Sequence, residues 1–415
     1  MKLRSEESPR LHRKVAAWFD KPVLNGWVLA ILAVLFALRK PWALHTPQLW
    51  AEDGSIFLTF NDLHGVHAFI EPYMGYLHTI PRIVAWLASH TTDPAWWPAF
   101  YNGGAFVISL AVIARTFSPR LDLPGKPWLA LAFFLGPQTG EVFFNITNIQ
   151  WFTGVLLIEQ ALLAPPANTR QRVADLLIVA VSGLTGPFII TFWPLLAWRW
   201  WRDRTGHSLA VLSVATACAL TQGLFVILTG PTFEYPPFNP GRFAEIMGQH
   251  LFTWSLVGDK LARTLPPAVI ALGGILPTLA VLGLALRPSP RRSVRGVLVA
   301  AFVLIVVAMV YRTRTDTWDP NNLYFGGRYF YIPRLMLLWL LVLEFDAAPK
   351  AGRWLARAVA LLIALVHLKG YSVTAMPDYH WAEHCDPIRR GVPADIPILP
   401  TDWTLEYRGR PPARR

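Results

Sequence analysis

The chain is poor in cysteine, in charge and in recognisable catalytic signatures. Its 415 residues include two cysteines, Cys218 in an apolar run and Cys385 in a polar tail. Such a pair builds no disulfide framework and carries no information on redox compartment. Charged side chains make up 15% of the sequence, against about a quarter in a soluble domain. There is no Gly-rich nucleotide loop, no His-Glu-x-x-His, no CxxC pair and no Ser nucleophile elbow. These absences leave no motif for cytosolic nucleotide or zinc-protease chemistry.

What is abundant is apolar. Hydrophobic residues reach 53%, with 19 Trp, and runs of roughly 15–22 apolar residues recur along most of the length, as a polytopic helical membrane protein requires. The net charge of +12 is spread over short clusters between those runs, the pattern of a topology signal rather than of nucleic-acid binding. The clusters are the amino terminus (Lys2, Arg4, Arg10, Arg13, Lys14, Lys21), Arg115/Arg120/Lys126, Arg170/Arg172, Arg199/Arg202/Arg204, Arg287/Arg291/Arg292/Arg295 and Lys350/Arg353/Arg357. With these loops cytoplasmic, spans alternate consistently at about 23–38, 98–116, 127–137, 150–164, 173–185, 188–198, 208–229, 267–286, 295–311, 329–345 and 355–370.

The expected fold is therefore an all-α polytopic membrane protein of about ten to twelve transmembrane helices. Residues 1–22 form a cytoplasmic N-terminus without a signal-cleavage site. Residues 23–370 form a transmembrane domain with 39–97 as its first extracytoplasmic loop, and 371–415 a short extracytoplasmic tail. Segment 76–92 reads either as a span or as a half-buried helix on the outer face, and the charge rule favours the latter. Gly136-Pro137 and Gly186-Pro187 interrupt two pairs of short segments, as broken helices or as ordinary proline kinks.

Polar and aromatic residues accumulate opposite the basic loops. Trp50-Ala-Glu-Asp-Gly54 follows the first apolar run, and Glu71-Pro-Tyr-Met-Gly-Tyr-Leu-His78 comes soon after. Carboxylates beside hydrocarbon cost roughly 2.5–3.5 kcal/mol each even on lenient insertion scales. Adjacent acids diverge by about 100° on a helix, so Glu52 and Asp53 suit separate roles: general base, metal ligand or orienting group, or N-cap of the following helix. A second cluster runs from Gly136 to Trp151 and carries Glu141, Asn145, Asn148 and Gln150. Its amides suit either a sugar or the hydrogen bonding that joins membrane helices, and Asn145-Ile-Thr147 also matches a glycosylation sequon. A third runs from Asp316 to Tyr331 and contains Arg328 and Tyr329, whose guanidinium suits a phosphate. Arg312, Arg314, Arg82 and His78 add cations on the same expected face, although Arg82 and Arg334 read better as snorkelling at helix ends. The tail acids and histidines Asp378, His380, Glu383, His384 and Asp386 have no trusted metal spacing and read as a solvated loop. Around Ile396-Pro-Ile-Leu-Pro-Thr-Asp-Trp403 the alternation predicts a small extended cap.

With an acid pair in the first outer loop, many spans, a basic inner face and outer arginine and aromatic groups, the chain resembles the GT-C superfamily of integral-membrane glycosyltransferases. That resemblance implies a lipid-linked sugar donor on polyprenyl phosphate, an acceptor hydroxyl and inversion, in cell-envelope glycan or glycolipid synthesis at a bacterial-type inner membrane. Asp53 or Glu52 would be the base, with Arg328, His78 and Arg82 at the donor phosphate. Trp50, Glu71, Tyr76, Glu141, Asn145, Asn148 and Tyr329 would line the substrate. A divalent metal, if used, would sit on Glu52 and Asp53, a thin site. The tail is shorter than the soluble domain of larger members. Competing readings are a transporter or flippase for a lipid-linked or anionic substrate, and a non-catalytic scaffold of an envelope complex.

Overall fold

The computed structural model describes residues 22–231, 238–289, 291–312 and 326–409. Arg314 and the Asp316–Phe325 part of the third cluster lie outside the described residues, as do the side chain of Arg312 and nearly all of the expected N-terminal segment. The regular structure described is helical apart from one small hairpin. Five helices are long and apolar enough to cross a bilayer: Pro94–Arg115, Gly206–Thr229, Pro267–Leu286, Arg292–Val310 and Lys350–Leu368. The chain is a polytopic helical membrane protein. Shorter helices occupy the other expected segments: Pro22–Ala37, Lys126–Leu135, Ile149–Leu162, Thr169–Gly183, Phe188–Asp203 and Tyr331–Ala347. The Thr79–Thr91 helix has 13 residues, about 20 Å of rise, too little for a hydrocarbon core of about 30 Å.

Local chemistry sets the boundaries. Proline enters at the first turn of the helices starting at Trp97, Lys126, Pro240 and Pro267, where its missing N–H is no loss. Asn168, Thr205 and Asn239 cap their helices through side-chain oxygens, satisfying free amide donors. Between 136 and 148, and again at 184–187, the chain leaves helix altogether. Both Gly-Pro pairs therefore end helices rather than kink them.

Contacts sort the loops into two groups, one at each end of the bundle: the segments around Arg120, Ala164 and His207 meet at one, and those around Arg39, Gly136 and Gly370 at the other. At the end carrying the basic loops, charges are paired. Asp175 accepts two hydrogen bonds from the Arg120 guanidinium at 3.0 and 2.7 Å, and His207 Nε2 lies 2.9 Å away. Arg115 sits between Asp175 and the buried Glu159 at 3.6 and 3.5 Å. Glu344 likewise joins Arg287 and Arg295 at 3.0 and 2.6 Å. Beneath the opposite end lies an aromatic core centred on fully buried Phe36, which contacts Phe106, Phe134, Phe143, Phe144 and Phe152.

The tail returns over this second end as a cap. Strands β1 (Ala394–Ile398) and β2 (Trp403–Tyr407) pair antiparallel, with Ile396, Ile398, Leu405 and Tyr407 buried. The alternation in the sequence thus reports a hairpin with one buried face.

Breaking a buried pair by removing one partner is costly, about 3–5 kcal/mol. Asp175→Asn should therefore lower the melting temperature of the detergent-solubilised protein sharply. Asp346→Asn, whose side chain is 54% exposed and 3.7 Å from Arg357, should leave it nearly unchanged. Equal effects would refute the assignment of the basic-end pairs as structural.

Candidate functional site

The segment 136–148 organises the end opposite the basic loops. It is irregular backbone, largely buried, so its carbonyls need donors from the protein itself. Three buried cations supply them. Arg39 donates to Gly136 O and Gln138 O at 3.3 and 3.4 Å, and also to Tyr371 O and Gly370 O in the tail. Lys40 Nζ donates to Phe143 O at 2.9 Å and Gly140 O at 3.4 Å. Arg334 bridges Pro137 O to His250 O. Asn145 and Asn148 then fold the segment on itself, each donating to Glu141 O, at 2.6 and 3.0 Å.

This segment divides the acid pair. Asp53 begins a π-turn, Asp53–Leu58, and is fully buried. Its Oδ1 accepts from Thr147 N at 2.8 Å and Thr147 Oγ1 at 2.6 Å, and its Oδ2 accepts from Ile146 N at 3.2 Å. Glu52 turns the other way and is half-buried, with the Tyr73 hydroxyl donating to it at 3.4 Å. Arg328 pairs with Glu141 and lies within electrostatic reach of Glu52 and Tyr73. Burial works against the Arg328 charge, but Glu141, Tyr329 and Glu52 outweigh it and hold the guanidinium cationic. Burial, followed by Glu52, raises the Tyr73 phenol, so it remains a donor at neutral pH. Glu52, Tyr73, Glu141 and Arg328 thus form one partly exposed cluster of acids, a phenol and a fixed cation.

The other expected site residues lie around or beneath this cluster. Tyr329 supports it, 5.6 Å edge-on from Trp151 with the Arg328 guanidinium 5.4 Å from its ring. Tyr76 closes a tight turn by backbone pairing with Tyr73. Trp50 is buried under Lys40 Nζ, 4.9 Å from its ring. Glu71 meets His64 Nδ1 at 2.5 Å. His78 is buried among Phe57, Tyr73 and Tyr76, and burial followed by Arg82 pushes it down to about 3, leaving a neutral imidazole. Arg82 and Arg334 do not snorkel. Arg82 is 1% exposed, donates to Glu71 O and Ile56 O, and stacks on Phe57 and Phe60; Arg334 is buried as described.

Arg39, Lys40, Tyr73 and Thr147 were not singled out by the sequence. Thr147 was visible only as the third residue of a sequon. A dent of about 10 Å³, room for one water, opens between the Lys126–Leu135 and Tyr331–Ala347 helices, with Phe133, Gly136, Gln138 and Arg334 on its wall and the acid pair elsewhere. Among the described residues no three His, Cys, Asp or Glu side chains gather as metal ligands, and both Asp53 oxygens already accept hydrogen bonds. No family model, curated protein or solved structure matches the chain.

The Asp53 site generates a pH signature. Burial pushes its carboxyl from 3.8 up to about 7, against the opposing pull of the Thr147 and Ile146 donors and with a smaller push from Glu52. A carboxyl whose folded value exceeds its unfolded value stabilises fully only below the unfolded value. Its contribution is lost as pH rises from about 4 to about 7. Asp53→Asn should flatten that part of the melting-temperature profile. It also sets an amide donor against the Ile146 or Thr147 N–H, a loss of roughly 1–3 kcal/mol. A profile in which the variant keeps the wild-type slope would refute the assignment.

Proposed function

We propose that the chain is a GT-C-like membrane glycosyltransferase that moves a hexosyl or pentosyl group from a polyprenyl-phosphate donor to an acceptor hydroxyl, with inversion. The work would be done at the extracytoplasmic side of a bacterial-type inner membrane, with the N-terminus cytoplasmic, in cell-envelope glycan or glycolipid synthesis. The observation that carries this reading is the Glu52–Tyr73–Arg328–Glu141 cluster, a partly exposed carboxylate beside a fixed cation at the end away from the basic loops. Glu52, rather than the enclosed Asp53, is the base in this reading. It takes the acceptor proton while the acceptor oxygen bonds to the anomeric carbon and the bond from that carbon to the donor phosphate breaks. Arg328 receives the negative charge of the departing lipid phosphate. Glu141 holds one arm of the guanidinium, and its remaining donors are directed by that grip.

A second reading, a transporter or flippase for an anionic lipid-linked substrate, is favoured by the discontinuous backbone at 136–148 with its buried cations. The two separate by assay. Membranes carrying wild type, Glu52→Gln or Arg328→Ala are supplied with radiolabelled sugar on polyprenyl phosphate. Glu52→Gln should lower transfer at least about a hundredfold, and Arg328→Ala should do so without altering protein abundance. A fully active Glu52→Gln enzyme overturns the base assignment. Absence of transfer from every donor, with substrate flux in proteoliposomes, supports the transporter.

A further inference from the structure

The C-terminal hairpin and the acid motif are built as one unit. Ala51, just before the pair, has φ of +29°, a region that non-glycine residues enter only when their surroundings impose it. The surroundings here are the tail. Ala51 N–H donates to Leu399 O, and Leu399 N–H donates to Leu49 O at 3.0 Å, so Trp50 and Leu399 lie side by side as a parallel bridge. Gly54, on the π-turn, sits directly against the hairpin, and a Cβ built there would come within 3.0 Å of Ile398 Cδ1. Further fastenings run from Gln48 to Asp378 at 2.5 Å, from Trp381 Nε1 to Pro94 O at 2.8 Å, and from Arg389 to Asp93 at 2.8 Å. The hairpin thus seats on the residues immediately before and after the acids.

We infer that the hairpin is the positioning element of the acid pair: Leu399 and Ile398 hold the Ala51 turn and the π-turn in the one arrangement that sends Glu52 outward and Asp53 inward to Thr147. Leu399 and Ile398 act through the backbone of 49–54 and touch no substrate. The inference deepens the proposed function and rests on it for the importance of an outward Glu52, but the arrangement itself is measurable without any transfer activity.

The test moves three carbon atoms across the contact. Gly54→Val adds them to the π-turn, and Ile398→Ala removes them from the hairpin. The full-length protein in detergent is treated with a water-soluble carbodiimide and glycine ethyl ester, and modification at Glu52 and Asp53 is read by peptide mass spectrometry. Wild type should be modified at Glu52 and protected at Asp53. Gly54→Val, which overpacks the contact, should speed Asp53 modification by at least about tenfold, and Gly54→Val with Ile398→Ala should restore the wild-type pattern. Unchanged protection in folded Gly54→Val overturns the inference, as does a double variant that fails to recover. If Gly54→Val alone does not fold, the double variant decides: recovery of fold and pattern supports the coupling, and failure of either refutes it. Loss of transfer with an intact labelling pattern would count against the proposed chemistry and leave the hairpin's role standing.

Discussion

Backbone that leaves the helix inside an apolar bundle must be hydrogen-bonded by the protein, because neither lipid nor a dry interior offers partners. In this chain that requirement falls on residues 136–148, and the rest of the acid-pair end follows from how it is met. Arg39, Lys40 and Arg334 direct their donors to carbonyls of the segment. Phe143 and Phe144 anchor it into the aromatic core around Phe36. Held in this way, the segment presents the Ile146 and Thr147 amides to Asp53 and the Glu141 carboxylate to Arg328. The amide contacts to Asp53 would not exist on a continuous helix, whose amides bond to carbonyls four residues back.

The same segment explains how two adjacent carboxylates acquire unlike characters. Asp53 is enclosed and spends both oxygens on fixed donors, which makes it a latch between the first loop and the 136–148 segment. Glu52 keeps access to solvent, with a long contact to the Tyr73 hydroxyl and the Arg328 charge nearby. Chemical reactivity needs an unspent lone pair within reach of a substrate, and that criterion selects Glu52. The sequence put Asp53 first, with Glu52 as the alternative, because the partners that enclose Asp53 lie far along the chain and nothing local announces them.

The helices were legible because apolar runs, basic clusters and Gly-Pro pairs are local signals; helices lie on every expected segment within a few residues. Five of them have the length and apolarity of spans, and the others lie close to the expected bounds without that length. The site was legible in part. Glu52, Glu141, Arg328 and Tyr329 were expected at one surface and do meet there. Arg39 and Lys40 were hidden because cations at the end of an apolar run look like topology signals or snorkelling groups. Arg82 and Arg334 were misread as snorkelling for the same reason. Thr147 was hidden by its place in a sequon. Asn145 and Asn148, expected to face substrate, instead close a loop onto its own carbonyl, a use of amides that only the three-dimensional path of the segment reveals.

The two ends of the bundle also differ in how their charge is balanced, and this bears on what the acid-pair end can attract. At the basic-loop end arginines meet carboxylates: half-buried Arg120 and Arg115 at Asp175, and buried Arg295 at Glu344. At the acid-pair end Arg39, Lys40 and Arg334 donate to neutral carbonyls instead, which do not cancel their charge. Burial pushes the Lys40 ammonium down to about 7, against the smaller pull of Asp53 and Glu141, so its charge is only partly held at neutral pH. The cations that remain in the interior are Arg39 and Arg334, beneath a surface that carries its own acids. A field of that form draws an anionic group toward the cation while keeping a carboxylate nearby as a proton acceptor. The transfer proposed above would use both halves of that arrangement at once, and a flippase only the first.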